Sequence, residues 1–401
     1  MKKNNGIVDV EIYLIFLLMM CWDIIEKYCA NAQFVFLFFL LAISLTTGKK
    51  IHIDPVLFIV MGIIFLHGLI CDILGYGSIV LTLKQILAIS LCYISFDSVV
   101  RKQSVDNIWN VYYEVAFFAS VLGFIIQFYH LLNGNFYYRM KSVFNEPSFL
   151  CYFLAPIVSS FVIELFSYNR SIFKSRFRLE KIKAIVIILA YISTFSTIAI
   201  VGLLVMMIIG WIMKGLNKSS FLLPLLIILL AFCFYLFVPD IQMRINDTFF
   251  ISKTTDVFSA NLSSYTLYNN FQVTKKSLVH THWLGCGLGS YRIAFDEYSL
   301  NKNGLYPLEY SLNREDANSM MLRIIAELGI AGAVVVFVWI KKYLVWEKSK
   351  LGIYSQSILV LLLLFLLRQG NYVHSCSVLF ICLYMKVWKE NRKKHFLKGD
   401  Y

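Results

Sequence analysis

Apolar runs of about 15 to 25 residues recur along the chain, separated by short polar stretches. The pattern predicts helices over 10–25, 32–46, 54–71, 79–98, 108–130, 148–167, 182–196, 198–213, 221–238, 319–340, 353–367 and 372–388. These lengths lie near the ~20 residues that a helix needs to cross ~30 Å of hydrocarbon. Period-two alternation between turns is absent, which argues against a transmembrane barrel. The expected fold class is an all-α integral membrane protein of about 12 transmembrane helices.

One polar interval, residues 239–318, is far longer than the others. It divides the chain into residues 1–238 with nine spans, a large extracytoplasmic loop over 239–318, and residues 319–401 with three spans and a basic cytoplasmic tail. The interval carries Tyr265, Tyr268, Phe271, Trp283, Tyr291, Phe295, Tyr298, Tyr306 and Tyr310, enough aromatic material to pack as an ordered structure. Long ordered segments on a rigid scaffold are usually functional.

Composition agrees with the pattern: 59% of the 401 residues are hydrophobic and 15% charged, with mean hydropathy +0.69. The net charge of +13 changes the picture through its placement. Clusters such as Lys49 and Lys50, Arg101 and Lys102, Arg170 to Lys183, Lys341 to Lys350, and Lys386 to Lys398 fall on alternate connections. The positive-inside rule then puts both termini in the cytoplasm, and the basic excess is a topology signal with no call for nucleic acid. The first apolar run, "IYLIFLLMMCW", lacks a small-residue cleavage site and is expected to be the first span. Nine cysteines are scattered without a C-x-x-C, and Cys286 alone lies in the long interval, so that interval cannot staple itself with a disulfide.

No soluble-enzyme motif holds. "GCGLGS" at 285–290 has G-x-G-x-G without a preceding strand, which discounts a dinucleotide or phosphate loop. His280 and His282 lack a third nearby ligand, so polar loop histidines are the favoured reading and no metal site is expected. Arginines on the outward connections carry more weight, because a guanidinium grips phosphate bidentately and stays charged. Arg139, Arg244, Arg292 and Arg314 are placed for that by topology. Arg323 and Glu327 form an i,i+4 pair about 8 and 13 Å below Asn318, if the tenth span starts there. Charges at that depth cost several kcal/mol unless paired or facing a wet cavity, so a functional role and a packing salt bridge stand level. Arg368, in "LLRQGNYVH", is expected at the interface, with a place facing the same cavity as the alternative.

Three stretches taken together, "RMKSVFNEPSFLCYFLAP" (139–156), "HWLGCGLGSYRIAF" (282–295) and "DANSMMLRIIAELGIAG" (316–332), resemble the Wzy-type O-antigen and capsular-polysaccharide polymerases of the polymerase and ligase superfamily. The resemblance implies a GT-C-like helical membrane fold in the bacterial plasma membrane. It also implies metal-independent, inverting glycosyl transfer without a cofactor, between two polyprenyl-pyrophosphate-linked oligosaccharide units. Membrane lipid is a further partner, and a chain-length regulator protein is a candidate one. Arg139 matches the loop arginine of that family, Glu146 and Pro147 the carboxylate and proline after it, and Asn318 and Glu327 the Asn and Glu of the tenth span. Expected substrate-binding residues are Arg139, Arg292, Arg314, Asn318 and Arg323. Expected catalytic carboxylates are Glu146, Glu315, Asp316 and Glu327, with the acceptor's base open among Asp316, Glu315 and Glu146.

Two departures matter. Many relatives, the ligases among them, place a histidine before the Asn, where this chain has Ala317, which favours polymerase over ligase. The turn "TFSTIAIVG" lacks the Arg-Thr-Gly often found between spans seven and eight. The alternatives are ligase-type transfer to a surface acceptor and, from another class, a flippase or transporter of lipid-linked glycans, for which internal repeats and helices broken at midplane are the usual signs.

Overall fold

The structure is a computed structural model describing residues 11–20, 37, 54–136, 138–168, 178–214, 225, 229, 232–233, 235–237, 239–251, 257–304 and 307–398. The described residues are helical with no strand. We number the helices α1 (Glu11–Met20), α2 (Pro55–Ile73), α3 (Ile79–Val100), α4 (Val105–Leu132), α5 (Pro147–Tyr168), α6 (Arg178–Ser193) and α7 (Thr197–Lys214). They continue as α8 (Pro239–Phe250), α9 (Leu262–His280), α10 (Tyr291–Tyr298), α11 (Met320–Tyr343), α12 (Lys350–Arg368) and α13 (Ser375–Lys398). Seven of these, α2, α3, α4, α5, α7, α11 and α12, are long and apolar enough to cross a membrane. The chain is thus a helical protein of multi-pass character. The second and ninth predicted spans, 32–46 and 221–238, lie outside the described residues apart from isolated positions.

Local chemistry explains the helix starts. Asp54 accepts from the Val56 amide at 3.0 Å with Pro55 at the first helical position, while Ser104, Ser319 and Ser349 cap α4, α11 and α12 through their hydroxyls. The connections gather at two ends. The basic end holds Arg101, ion-paired to Asp97 at 2.5 Å and to Asp54 at 3.5 Å, with its carbonyl accepting from Lys386 Nζ at 3.1 Å. The opposite, loop-rich end holds the connections 74–78, 133–136 with 138–146, 194–196 and 369–374, together with the segments 257–304 and 307–319.

α5 and α12 form the centre. Each is mostly buried, and α5 packs along α7 and α12. α2 is mostly exposed, with Gly68 and Cys71 as its only buried residues. Among the described residues, the long interval 239–318 carries the helices α8, α9 and α10. α9 lies along α11, with Thr274 Oγ1 donating to the Leu322 carbonyl at 3.4 Å. A small core of Val273, Cys286, Tyr291, Ala294, Phe295, Ala317 and Ala326 joins α9 and α10 to α11. Phe258, Tyr265 and Tyr310 cluster with ring centroids 5.0–5.4 Å apart at its other edge.

Candidate functional site

α11 is interrupted at Gly329, whose φ of 67° and ψ of −171° leave the helical region. Only glycine fits there, because a Cβ would collide with the Trp283 carbonyl and the backbone is left-handed. The break takes the carbonyls of Ala326 and Glu327 out of the helical ladder. They accept instead from the amides of Cys286 at 2.9 Å and Gly287 at 2.8 Å. The glycine-rich turn discounted as a phosphate loop therefore repairs a broken helix. Gly285 must be glycine for the same closeness, since a Cβ would stand 2.6 Å from both the Glu327 carbonyl oxygen and the Gly329 nitrogen.

The other edge of the turn is held by α2 and α3. His67 Nε2 hydrogen-bonds the Leu284 carbonyl at 3.0 Å, the Cys71 thiol donates to the Gly285 carbonyl at 3.3 Å, and Thr82 Oγ1 donates to the Leu288 carbonyl at 2.9 Å. His67 is six residues from the end of α2, a depth of ~9 Å at 1.5 Å per residue. Non-helical backbone at such depth is tolerated only when protein or a polar cavity surrounds it. Here α2, α3 and α11 surround it.

The charge pair sits at this break. Arg323 Nε donates to Glu327 Oε1 at 2.9 Å, Nη1 to the Gly370 carbonyl at 3.0 Å, and Nη2 to Gln85 Oε1 at 3.3 Å, while the Tyr372 ring lies 4.4 Å from the guanidinium carbon. Glu327 Oε1 also accepts from the Tyr291 amide at 3.2 Å, so the carboxylate faces the first turn of α10 and its positive dipole end. Glu327 is fully buried, and its Oε2 makes no hydrogen bond to the described residues. The Tyr372 phenol and Cys286 lie within electrostatic reach of Glu327. One ion pair thus ties together α3, α10, α11 and the connection between α12 and α13.

No protein-family model matches this chain, and no curated protein matches it.

The remaining predicted residues fall into two groups. Near the pair, Asp316 Oδ1 accepts from Asn313 Nδ2 at 2.9 Å and from the Asn318 amide at 3.1 Å, and Asp316 is within electrostatic reach of Arg323 and Tyr291. Asn318 follows Ala317 in left-handed backbone, with φ of 53° and 60°, and Ala317 is wholly buried in the small core. Tyr152 of α5 donates to the Arg368 carbonyl at 2.9 Å and has Arg368, Glu146 and Asp316 in its electrostatic surroundings. Arg368 reaches the Ser263 hydroxyl and carbonyl at the start of α9. Glu146 is exposed and accepts from Ser148 Oγ at 2.9 Å.

Arg139 stands beside this group. Its Nε donates to the Thr194 carbonyl at 3.2 Å, next to the bond from the Met140 amide to the Ser193 carbonyl at 3.1 Å. The serine- and threonine-rich turn between α6 and α7 thus receives the segment 139–141, and Ser196 Oγ accepts from the Ile198 amide at 3.3 Å. Arg292 and Arg314 lie apart, on the exposed surface. Arg292 pairs with Glu315 at 3.5 Å and Arg314 with both Asp296 oxygens, tying α10 to the segment before α11. That carboxylate holds the Arg314 guanidinium above its ordinary value. Arg244 lies outside the described side chains. His280 rests against the rings of Tyr76 and Tyr298 at 5.5 and 5.9 Å.

Sequence reasoning missed Gln85, Tyr291, Gly329, Gly370 and Tyr372. Gln85 was the most accessible signal, a polar residue inside "LTLKQILAIS". The helix break gave a weak one, Gly329 in the Glu-x-Gly at 327–329, since "ELGIAG" otherwise reads as an apolar continuation.

Proposed function

We propose that the chain transfers a glycan from a polyprenyl-pyrophosphate carrier onto a second lipid-linked repeat unit, as a polysaccharide polymerase at the outer face of a bacterial plasma membrane. The observation that carries this reading is the gathering of Arg139, Glu146, Asp316 and Arg368 around Cys151 and Tyr152, at the loop-rich end and beside the Arg323–Glu327 pair. Arginine and carboxylate are the two chemistries such a transfer needs. The acceptor hydroxyl loses its proton to a carboxylate, Glu146 or Asp316, and attacks the anomeric carbon from the face opposite the carrier. The bond to the carrier oxygen breaks, and its electron pair leaves with the pyrophosphate, whose charge Arg139 and Arg368 meet. Arg323 and Glu327 hold the surrounding elements in register. Arg292 and Arg314, already paired at the surface, belong to the frame in this reading. Ala317, buried where ligases carry histidine, continues to favour polymerase over ligase.

The test is deletion of the gene and complementation with variants, read by electrophoresis of the surface glycan. Loss of polymer with a single-repeat-capped surface lipid supports the proposal, and Arg139→Ala reproduces it with the protein still inserted in the membrane. Full-length polymer from Arg139→Ala and Arg368→Ala together removes the pyrophosphate role. Lipid-linked polymer without surface attachment indicates a ligase.

A second reading has one specific observation in its favour. Helices broken at membrane depth beside charged groups are characteristic of transporters, and α11 is such a helix. Repeat units accumulating on the inner leaflet in the deletion strain would replace the polymerase reading with a flippase.

A further inference from the structure

At the basic end, away from the proposed transfer site, a cavity of about 480 Å³ opens between α4, α5, α6 and α12. Its volume lies within the ~300–1,000 Å³ of small-molecule sites. Its walls are Trp109 and Tyr113 of α4, Phe161 and Glu164 of α5, Glu180 of α6, which is paired with Lys183 at 3.8 Å, and Tyr354 of α12, with the exposed Lys348 at the rim. Glu164 is four residues from the end of α5 and half-buried, with no described residue in hydrogen-bond or ion-pair range, and the positive side chain that acts on it through space is Lys350. A carboxylate placed so inside a membrane bundle costs free energy unless something positive meets it. Lys350, in the same lining, acts on Glu164 only through space, because its ammonium is held by Asp106 at 2.8 Å. Lys348 is exposed and has no ion-pair partner among the described residues. The cavity therefore offers a negative group within and a positive group at its mouth.

We propose that this cavity binds the headgroup of a primary-amine zwitterionic phospholipid, its ammonium on Glu164 and its phosphate on Lys348. Charge complementarity sets the orientation, since a purely anionic headgroup could place its phosphate on Lys348 but would leave Glu164 without a cation. The aromatic geometry selects the amine type. Trp109 and Tyr354 stack on each other at 4.3 Å and 27°, and Tyr113 meets Phe161 edge-on at 5.9 Å. Ring faces spent on one another leave less of a cage for a quaternary ammonium, whereas a primary ammonium donates up to three hydrogen bonds to a carboxylate. The position selects a lipid over a soluble ligand. The cavity lies where α4 and α12 begin and α5 ends, at the level of the bundle's basic rim. Glycan transfer plays no part in this inference.

The experiment is native mass spectrometry of the delipidated full chain offered equal amounts of phosphatidylethanolamine, phosphatidylcholine and phosphatidylglycerol. The wild-type chain is expected to retain the ethanolamine lipid roughly tenfold over each of the others, the order expected for a charge-assisted contact of partly buried groups. Glu164→Gln should erase that preference while leaving phosphatidylglycerol adducts unchanged, and Glu164→Asp should keep most of it. Lys348→Ala should lower ethanolamine and glycerol lipids together. Equal retention of all three lipids by the wild-type chain overturns the proposal without need of any variant. An unchanged preference in Glu164→Gln overturns it as well, and displacement by soluble phosphoethanolamine at matched concentration overturns the lipid assignment.

Discussion

Two sets of arginine–carboxylate pairs stand on the same part of this molecule and differ in nearly every physical respect. Arg323 and Glu327 are buried, 2.9 Å apart, with the guanidinium also held by Gly370, Gln85 and the Tyr372 ring. Arg292–Glu315 and Arg314–Asp296 are largely exposed and join two neighbouring surface segments. Exposed pairs contribute about 0–1 kcal/mol, because water competes for both charges. In a buried pair, losing one partner strands the other charge in an apolar medium, which costs ~3–5 kcal/mol. The same arginine–carboxylate chemistry thus does different things: the buried pair bonds to groups on four elements, and the others join two surface segments.

The comparison can be broken most sharply at Arg323. Arg323→Met or Glu327→Leu alone should destabilise by ~3–5 kcal/mol, read as a fall in apparent melting temperature in detergent, and the double variant should cost less than either single one. Additive losses would show that the pair is not a coupled unit. Exchanging the charges, Arg323→Glu with Glu327→Arg, should fail to restore stability. The Tyr291 amide and the Gly370 carbonyl would each face a like partner, a donor meeting a donor and an acceptor meeting an acceptor. Recovery to wild-type melting would reduce the node to a simple salt bridge.

Gly329→Ala probes the break itself. A left-handed residue acquiring a Cβ costs ~1–3 kcal/mol, and here the new carbon would also push the 283–287 turn off α11. Cys286 is buried in that turn, so faster alkylation of its thiol in the variant is the expected readout, against a background set by a Cys71→Ala chain. Unchanged alkylation would mean that the turn does not depend on the break. The smallest effects belong to the surface. Arg292→Gln and Arg314→Gln should each shift stability by at most ~1 kcal/mol, and the shift should shrink further in high salt. A loss of several kcal/mol from either would erase the distinction between the two sets of pairs.

Much of the architecture was legible along the chain because spans are read against water. Helices at 54–71, 79–98, 148–167 and 198–213 were expected and appear as Pro55–Ile73, Ile79–Val100, Pro147–Tyr168 and Thr197–Lys214, since long apolar runs and their Asp, Ser and Pro starts are local signals. Arg323 and Glu327 stood out for the same reason, as charges in a greasy run. The interval 239–318 was read as ordered from its aromatic content, yet its helices α8, α9 and α10 are polar and gave no span signal. Their order comes from the packing of α9 and α10 on α11 and of α8 on α9, which no local pattern encodes.

What the sequence by itself determined is the helical, multi-pass character of the chain, the polar interval within it, and two charges placed too deep to be incidental. Tertiary structure decided which apolar helix is central and which faces outward, since α5 and α2 are comparably greasy while only α5 is mostly buried. The reason is that lipid tails and a protein interior are equally apolar, so hydropathy separates both from water but never from each other. Tertiary structure also decided that α11 breaks. Gly329 is one glycine among apolar neighbours until the 285–287 backbone, more than forty residues earlier, arrives to accept the role of its missing turn.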